Sequence, residues 1–170
     1  MKLDIVNAQN EIRLDKAIRN AVTQAAVLTL EHEGVGSAVE LALVFTDDDG
    51  IRKLNRRYRD IDTATDVLSF PNLEEEDISR LKAGQAIAKR EPGQKAPYLG
   101  DVAISLPCAA RQASEAGHLI QNEAAILMVH AVLHLLGYDH KAGKGHPEEM
   151  FSIQAAVLKD MGLSWRWEGI

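Results

Sequence analysis

Cysteine is almost missing from this chain. Cys108 stands alone, so no disulfide can close within it, no disulfide partner is expected, and a reducing, cytoplasmic setting is the simplest expectation. With no base beside it in sequence, Cys108 reads as a small buried hydrophobe in a helical stretch and not as a nucleophile. Long apolar runs are also absent. No window approaches the roughly eighteen consecutive apolar residues of a spanning helix, so no membrane association is expected. Residues 1–10 alternate apolar and polar side chains where a signal peptide would carry a basic start and an apolar run. Aromatic residues make up 5% of the chain, which limits any binding surface that relies on stacked rings.

What is present describes a globular protein. A chain of 170 residues, 46% hydrophobic and 26% charged, can bury a core in one domain without staples. The net charge of -6 argues against a surface that grips a polyanion everywhere. The charges are unevenly placed. Arg52, Lys53, Arg56, Arg57 and Arg59 put five positive charges into eight residues with no acid among them, while acids gather at 47–49 and 74–77. Wound as a helix, this stretch carries Arg52, Arg56 and Arg59 on one side and an apolar Leu54–Tyr58 pair on the other. A solvated helix face is the ordinary reading of such a cluster. A stripe that binds phosphate is the functional one.

Residues 130–140 read His-Ala-Val-Leu-His-Leu-Leu-Gly-Tyr-Asp-His. His130 and His134 lie one helical turn apart on the same face, so both imidazoles can converge on one ion. Gly137 takes positive φ without a Cβ penalty, so it can end the helix and turn the chain to bring His140 back toward them. Two histidines at this spacing occur by chance on many helices. The third, with the helix-stopping glycine between, favours a metal site. Three neutral ligands leave one tetrahedral position open, which distinguishes a catalytic zinc site from a structural one. Nickel or iron would accept the same nitrogens. His32, His118 and His146 read as solitary surface or core histidines.

The alternation of apolar residues predicts four strands: about 3–6, 39–46, 66–70 ended by Pro71, and 98–105. Helical periodicity predicts one helix from about 12 to 33 stopped by Gly34, and one after a Thr46 or Asp47 cap carrying the basic stripe. Three more are expected over 107–117, 122–136 and 147–161. The helix over 122–136 is apolar on most sides and should be central. Residues 72–97, polar and rich in glycine and proline, read as a surface excursion with at most a helical turn near 78–83. The expected fold is a single α+β domain over residues 1–170, with a four-stranded mixed sheet, about five helices, and the three-histidine site on a central helix and the turn after it.

The ligand spacing is shared with metzincin zinc proteases, which place a glutamate general base directly after the first histidine. Here that residue is Ala131, which accepts no proton, so the peptidase reading loses its base. A metal ion supplies a Lewis acid and lowers the pKa of bound water to about 7 without a dedicated carboxylate. In phosphodiester cleavage, charge builds on the non-bridging oxygens, and an arginine is the partner such chemistry needs.

Four segments together resemble the YbeY family of bacterial endoribonucleases and rRNA maturation factors. They are Leu54-Asn55-Arg56-Arg57-Tyr58-Arg59, Thr65-Asp66-Val67-Leu68-Ser69-Phe70-Pro71, Leu99-Gly100-Asp101, and the histidine segment ending Leu136-Gly137-Tyr138-Asp139-His140. They fall in the family's order across residues 54 to 140. The resemblance implies a zinc-dependent endoribonuclease specific for single strands, acting in 16S rRNA 3′-end maturation and late ribosome quality control. It further implies the ribosome and its associated proteins as partners, one Zn2+ held by His130, His134 and His140, and Arg59 as a residue important for activity. Arg52, Arg56, Asp66 and Asp101 are further candidates for substrate binding. Asp66 and Asp101 would either orient an imidazole or contact substrate, or would simply cap turns. With so few aromatics, affinity for RNA would rest on phosphate contacts and fall steeply with salt. The competing reading is an assembly factor that binds RNA or the ribosome, with a structural metal and little catalysis.

Overall fold

The computed structural model describes residues 1–36, 38–85, 96–138 and 147–163. Expectations that fall on His140, His146, Asp139 and residues 86–95 lie outside the described residues. In β1 (Lys2–Asn7), Leu3 and Ile5 turn toward the core while Lys2, Asp4 and Val6 face solvent. The first helix begins later than periodicity suggests. The Gln9 side chain accepts the N–H groups of Glu11 and Ile12 and donates to the Ile12 carbonyl, folding residues 9–12 into a turn of their own. Asp15 then caps α1 (Lys16–His32) by accepting the Ile18 N–H at 2.9 Å.

β2 (Glu40–Thr46) sends Leu41, Leu43 and Phe45 into the main core. Asp47 caps α2 (Asp48–Arg59), as one of the two expected caps, by accepting the Gly50 N–H at 2.7 Å. β3 (Val67–Pro71) runs through its proline, which an edge strand tolerates. The expected surface excursion over 72–97 starts instead as a helix, α3 (Glu75–Lys82), with acids in its first turn and bases in its last. Ile78 is buried in the core and Leu73 and Leu81 pack against it, so this segment is seated on the domain. Three apolar residues at these intervals, set among the seven charged and polar ones of residues 73–82, are a weak periodic signal. β4 (Tyr98–Ser105) matches its expected bounds, followed by α4 (Leu106–Ala116), α5 (Ile120–Leu135) and α6 (Pro147–Asp160). The described residues thus form one α+β domain with six helices, where about five were expected.

The sheet order is β1-β2-β4-β3, with β1, β2 and β4 parallel and β3 antiparallel to β4. Its two faces differ. One carries Leu41, Leu43, Phe45, Val102 and Ile104 into the main core, against α1 and α5. The other carries Leu68 and Ala103 onto Ile51 of α2, with Val44, Leu54 and Phe70 around them. Gly100 makes the β3–β4 pairing feasible: its φ is +139°, and a Cβ there would stand 2.2 Å from the Phe70 carbonyl oxygen. The Leu135 side chain closes over the same spot, placing the end of α5 at the Phe70–Gly100 level of the sheet.

Candidate metal centre

α5 is apolar all round because it is surrounded, by α1, α4 and α6 and by β3 and β4. From Glu123 to Leu136 every residue is buried except His130 and His134. These two therefore mark the one stripe of the helix that opens outward. Their rings lie 4.6 Å apart and nearly perpendicular, with the two Nε2 atoms 3.1 Å from each other.

The opposite ring nitrogens determine what the Nε2 atoms can be. His130 Nδ1 lies 3.1 Å from the Gln154 side-chain oxygen, and His134 Nδ1 lies 2.7 Å from the Tyr138 carbonyl oxygen. Carbonyl oxygens only accept, so each Nδ1 donates its proton to its oxygen, and a neutral ring so held turns an Nε2 lone pair inward. Two lone pairs at this distance repel unless a cation or proton draws them together. Two nitrogens held about 2.0–2.1 Å from one tetrahedral zinc stand about 3.3 Å apart, so the pair fits two ligand positions of such an ion. Among the described residues no group of three possible ligands is found, and His140 lies outside them.

Gly137 ends the helix as the spacing predicts, while the return of His140 lies outside the described residues. At φ +87° it ends α5, donating to the His134 carbonyl while Tyr138 N–H reaches back to Leu133 at 3.1 Å. The turn it makes delivers the Tyr138 carbonyl to His134. Neither orienting group was expected. The backbone carbonyl follows from the turn alone, and the only sequence signal for Gln154 is a polar residue among the apolar Ile153, Val157 and Leu158 of α6, where it is 2% exposed.

The basic stripe reaches the same end of the sheet from the other face. α2 runs along β3 and β4, and its last turn meets the sheet where Tyr58 packs edge-on against Phe70, ring centroids 5.0 Å apart. Arg52 is committed to Asp62 through a two-pronged ion pair at 2.9 and 3.1 Å. Among the described residues Arg56 and Arg59 make no ion pair, and Arg57 lies over the Tyr58 ring. Beside them a groove of about 450 Å³ is lined by Val44, Leu54, Tyr58, Phe70 and Asp101.

Among the described residues the partners of the two aspartates are not imidazoles. Asp66 accepts from the Val67 N–H, the Thr65 hydroxyl and the Gln112 amide, the turn-capping alternative. Asp101 accepts the Tyr98 hydroxyl on the α2 side of the sheet, and burial and that contact push the Tyr98 phenol well up. Cys108 is half-buried, and burial raises its thiol further from reactivity. His32 pairs with Asp160 and His118 with Glu123, as solitary histidines do.

The model of the Endoribonuclease YbeY family matches residues 4–162. The chain is 47% identical over 164 residues to the Endoribonuclease YbeY of Pelotomaculum thermopropionicum, covering 96% of this chain and 99% of that one. It is 38% identical to the one from Desulforamulus reducens, with the same coverage. The fold is similar to the solution structure of TM1509 from Thermotoga maritima, with a TM-score of 0.57 at 23% identity over 94% of this chain and 91% of that one.

Proposed function

The chain belongs to the YbeY endoribonuclease family, and from that membership we propose that it is a zinc-dependent endoribonuclease cutting phosphodiester bonds within single-stranded RNA. The observation that carries the metal reading is the histidine pair, with both Nδ1 atoms held on carbonyl oxygens and both Nε2 atoms 3.1 Å apart. His130 and His134, joined by His140, would hold the ion. Bound zinc would supply Lewis acidity where the scissile phosphate gathers charge. Gln154 and Tyr138 keep the two rings in the tautomer that coordinates. Arg59, in the last turn of α2, would neutralise charge on the non-bridging oxygens, and Arg56 and Arg57 would contact flanking phosphates. The RNA would pass the β3 edge, because α2 and α5 meet the β3–β4 pair from opposite faces. Asp101 faces the groove on the α2 side, where a substrate contact is open to it.

The biological setting we infer is cytoplasmic 16S rRNA 3′-end maturation and ribosome quality control. No helix among the described residues is long and apolar enough to cross a membrane. The test is cleavage of a labelled oligonucleotide offered as a single strand and as a duplex. Internal cuts in the single strand alone are expected, ended by a chelator, restored by Zn2+, and weakened steeply between low and physiological salt. Protein that binds this RNA and leaves it intact with zinc present would return the assembly-factor reading.

A further inference from the structure

A cluster remote in sequence stands behind the histidine pair. Glu33 caps the end of α1, Lys82 ends α3, and Tyr138 follows α5. The Glu33 side chain is only 7% exposed, and its Oε2 accepts from Lys82 Nζ at 2.6 Å and from the Tyr138 hydroxyl at 2.7 Å. Lys82 Nζ also donates to that hydroxyl at 3.1 Å and sits 4.3 Å from the centre of the Tyr138 ring. The tyrosine is thereby held at its hydroxyl and across its ring face. Its backbone is held as well, by the N–H bonded to the Leu133 carbonyl. What remains of the residue is its carbonyl, and that group receives the His134 Nδ1 proton at 2.7 Å.

We propose that Glu33, Lys82 and Tyr138 form a positioning clamp for His134, setting the direction and tautomer of a metal ligand from two helices that contribute no ligand themselves. A tyrosine free to swing about its Cα would let the turn rock and His134 exchange its proton between nitrogens. A tyrosine fixed at three points holds the acceptor in place. A lone carboxylate so buried would be costly, and it is tolerated here because a cation and a hydroxyl both donate to its Oε2. The inference rests on the zinc reading of the site, and its test is chosen to separate the two.

Zn2+ affinity is to be measured on the full chain without a histidine tag, by competition with a chromophoric chelator. The parent is expected to bind one Zn2+. Tyr138→Phe, which removes a single oxygen, is expected to weaken Zn2+ about tenfold, the low end of what outer partners of a ligand contribute. Glu33→Gln should act likewise, and the double variant should lose little more than either alone, since both break one linkage. In the metal-free protein, imidazole 15N shifts should show His134 protonated at Nδ1 in the parent and a tautomer mixture in Tyr138→Phe. The control is His118→Ala, which breaks the 2.6 Å pair with Glu123 at the other end of α5 and should lower the melting temperature without moving Zn2+ affinity. A folded Tyr138→Phe protein with the parent's affinity and His134 shifts overturns the clamp alone. An equal loss in the His118 control reduces it to general stability and also overturns it. A parent that binds no Zn2+ overturns the metal reading and the clamp with it.

Discussion

The last turns of α5 and α2 reach the same end of the β3–β4 pair from opposite faces, and they are built in opposite ways. The α5 turn is apolar except for His130 and His134, and each ring is held by a group from outside its helix's regular ladder. The α2 turn is exposed and cationic, with Tyr58 58% exposed and Arg56, Arg57 and Arg59 around it. A site that must hold an ion requires donors fixed to within fractions of an ångström, which hydrogen-bonded side chains on a packed helix provide. A surface that must follow a flexible polyanion needs long charged side chains that keep their freedom, which exposure provides. Disturbance should therefore be felt differently on the two sides. Changes behind the histidines should act on metal affinity, and changes on α2 should act on RNA.

The largest expected effect comes from the α5 side. His134→Ala should abolish both metal binding and cleavage, a loss beyond the roughly 100-fold limit of outer partners, as read by metal analysis and oligonucleotide cleavage. If it kept its metal, the α5 turn would not be the ion-binding half. On the α2 side, Arg59→Ala should lower cleavage by about 10²–10³-fold, as loss of one charge-stabilising donor does, while metal content and melting temperature stay at the parent's values. An unchanged rate would remove Arg59 from the chemistry and leave α2 a solvated face. Next comes Gln154→Leu, which should weaken Zn2+ by about 10–100-fold with the RNA affinity of the α2 surface preserved.

The smallest effect concerns stability. Burial pulls the Lys82 ammonium down, but its hydrogen bonds to Glu33 and Tyr138 outweigh this and raise it above the ordinary lysine value. A raised folded value means that this contribution is complete below the unfolded value of about 10.4. It is lost only as pH rises through the higher folded value. Lys82→Met should therefore cost about 1–3 kcal/mol near neutral pH, because it leaves Glu33 buried without its cation. Thermal unfolding should show the variant and the parent converging at strongly alkaline pH.

Much of this architecture was legible in the chain. Strand β4, the Asp47 cap, the central position of α5 and the helix-ending role of Gly137 all follow from periodicity and glycine chemistry that act within a few residues. α3 was not legible as part of the core, because Ile78 and Leu81, with Leu73 before the helix, gain meaning only from the surface they meet. The delayed start of α1 was hidden for a related reason. A single side chain, Gln9, offers residues 9–12 an alternative set of hydrogen bonds that periodicity does not register.

The candidate site divides along the same line. By itself the sequence determined which residues have the chemistry: imidazoles one helical turn apart, a glycine to turn the chain, an alanine where a peptidase has its base, and a cluster of arginines. These are properties of covalent structure and of helical spacing, which are local. The tertiary structure decided which groups hold them. Gln154 lies 24 residues from His130, and Glu33 lies 105 from Tyr138. It also decided that Arg52 belongs to Asp62 and Asp66 to Gln112. The reason is physical: a hydrogen bond reaches about 3 Å through space, and only the packed fold determines which distant parts of the chain come within that reach.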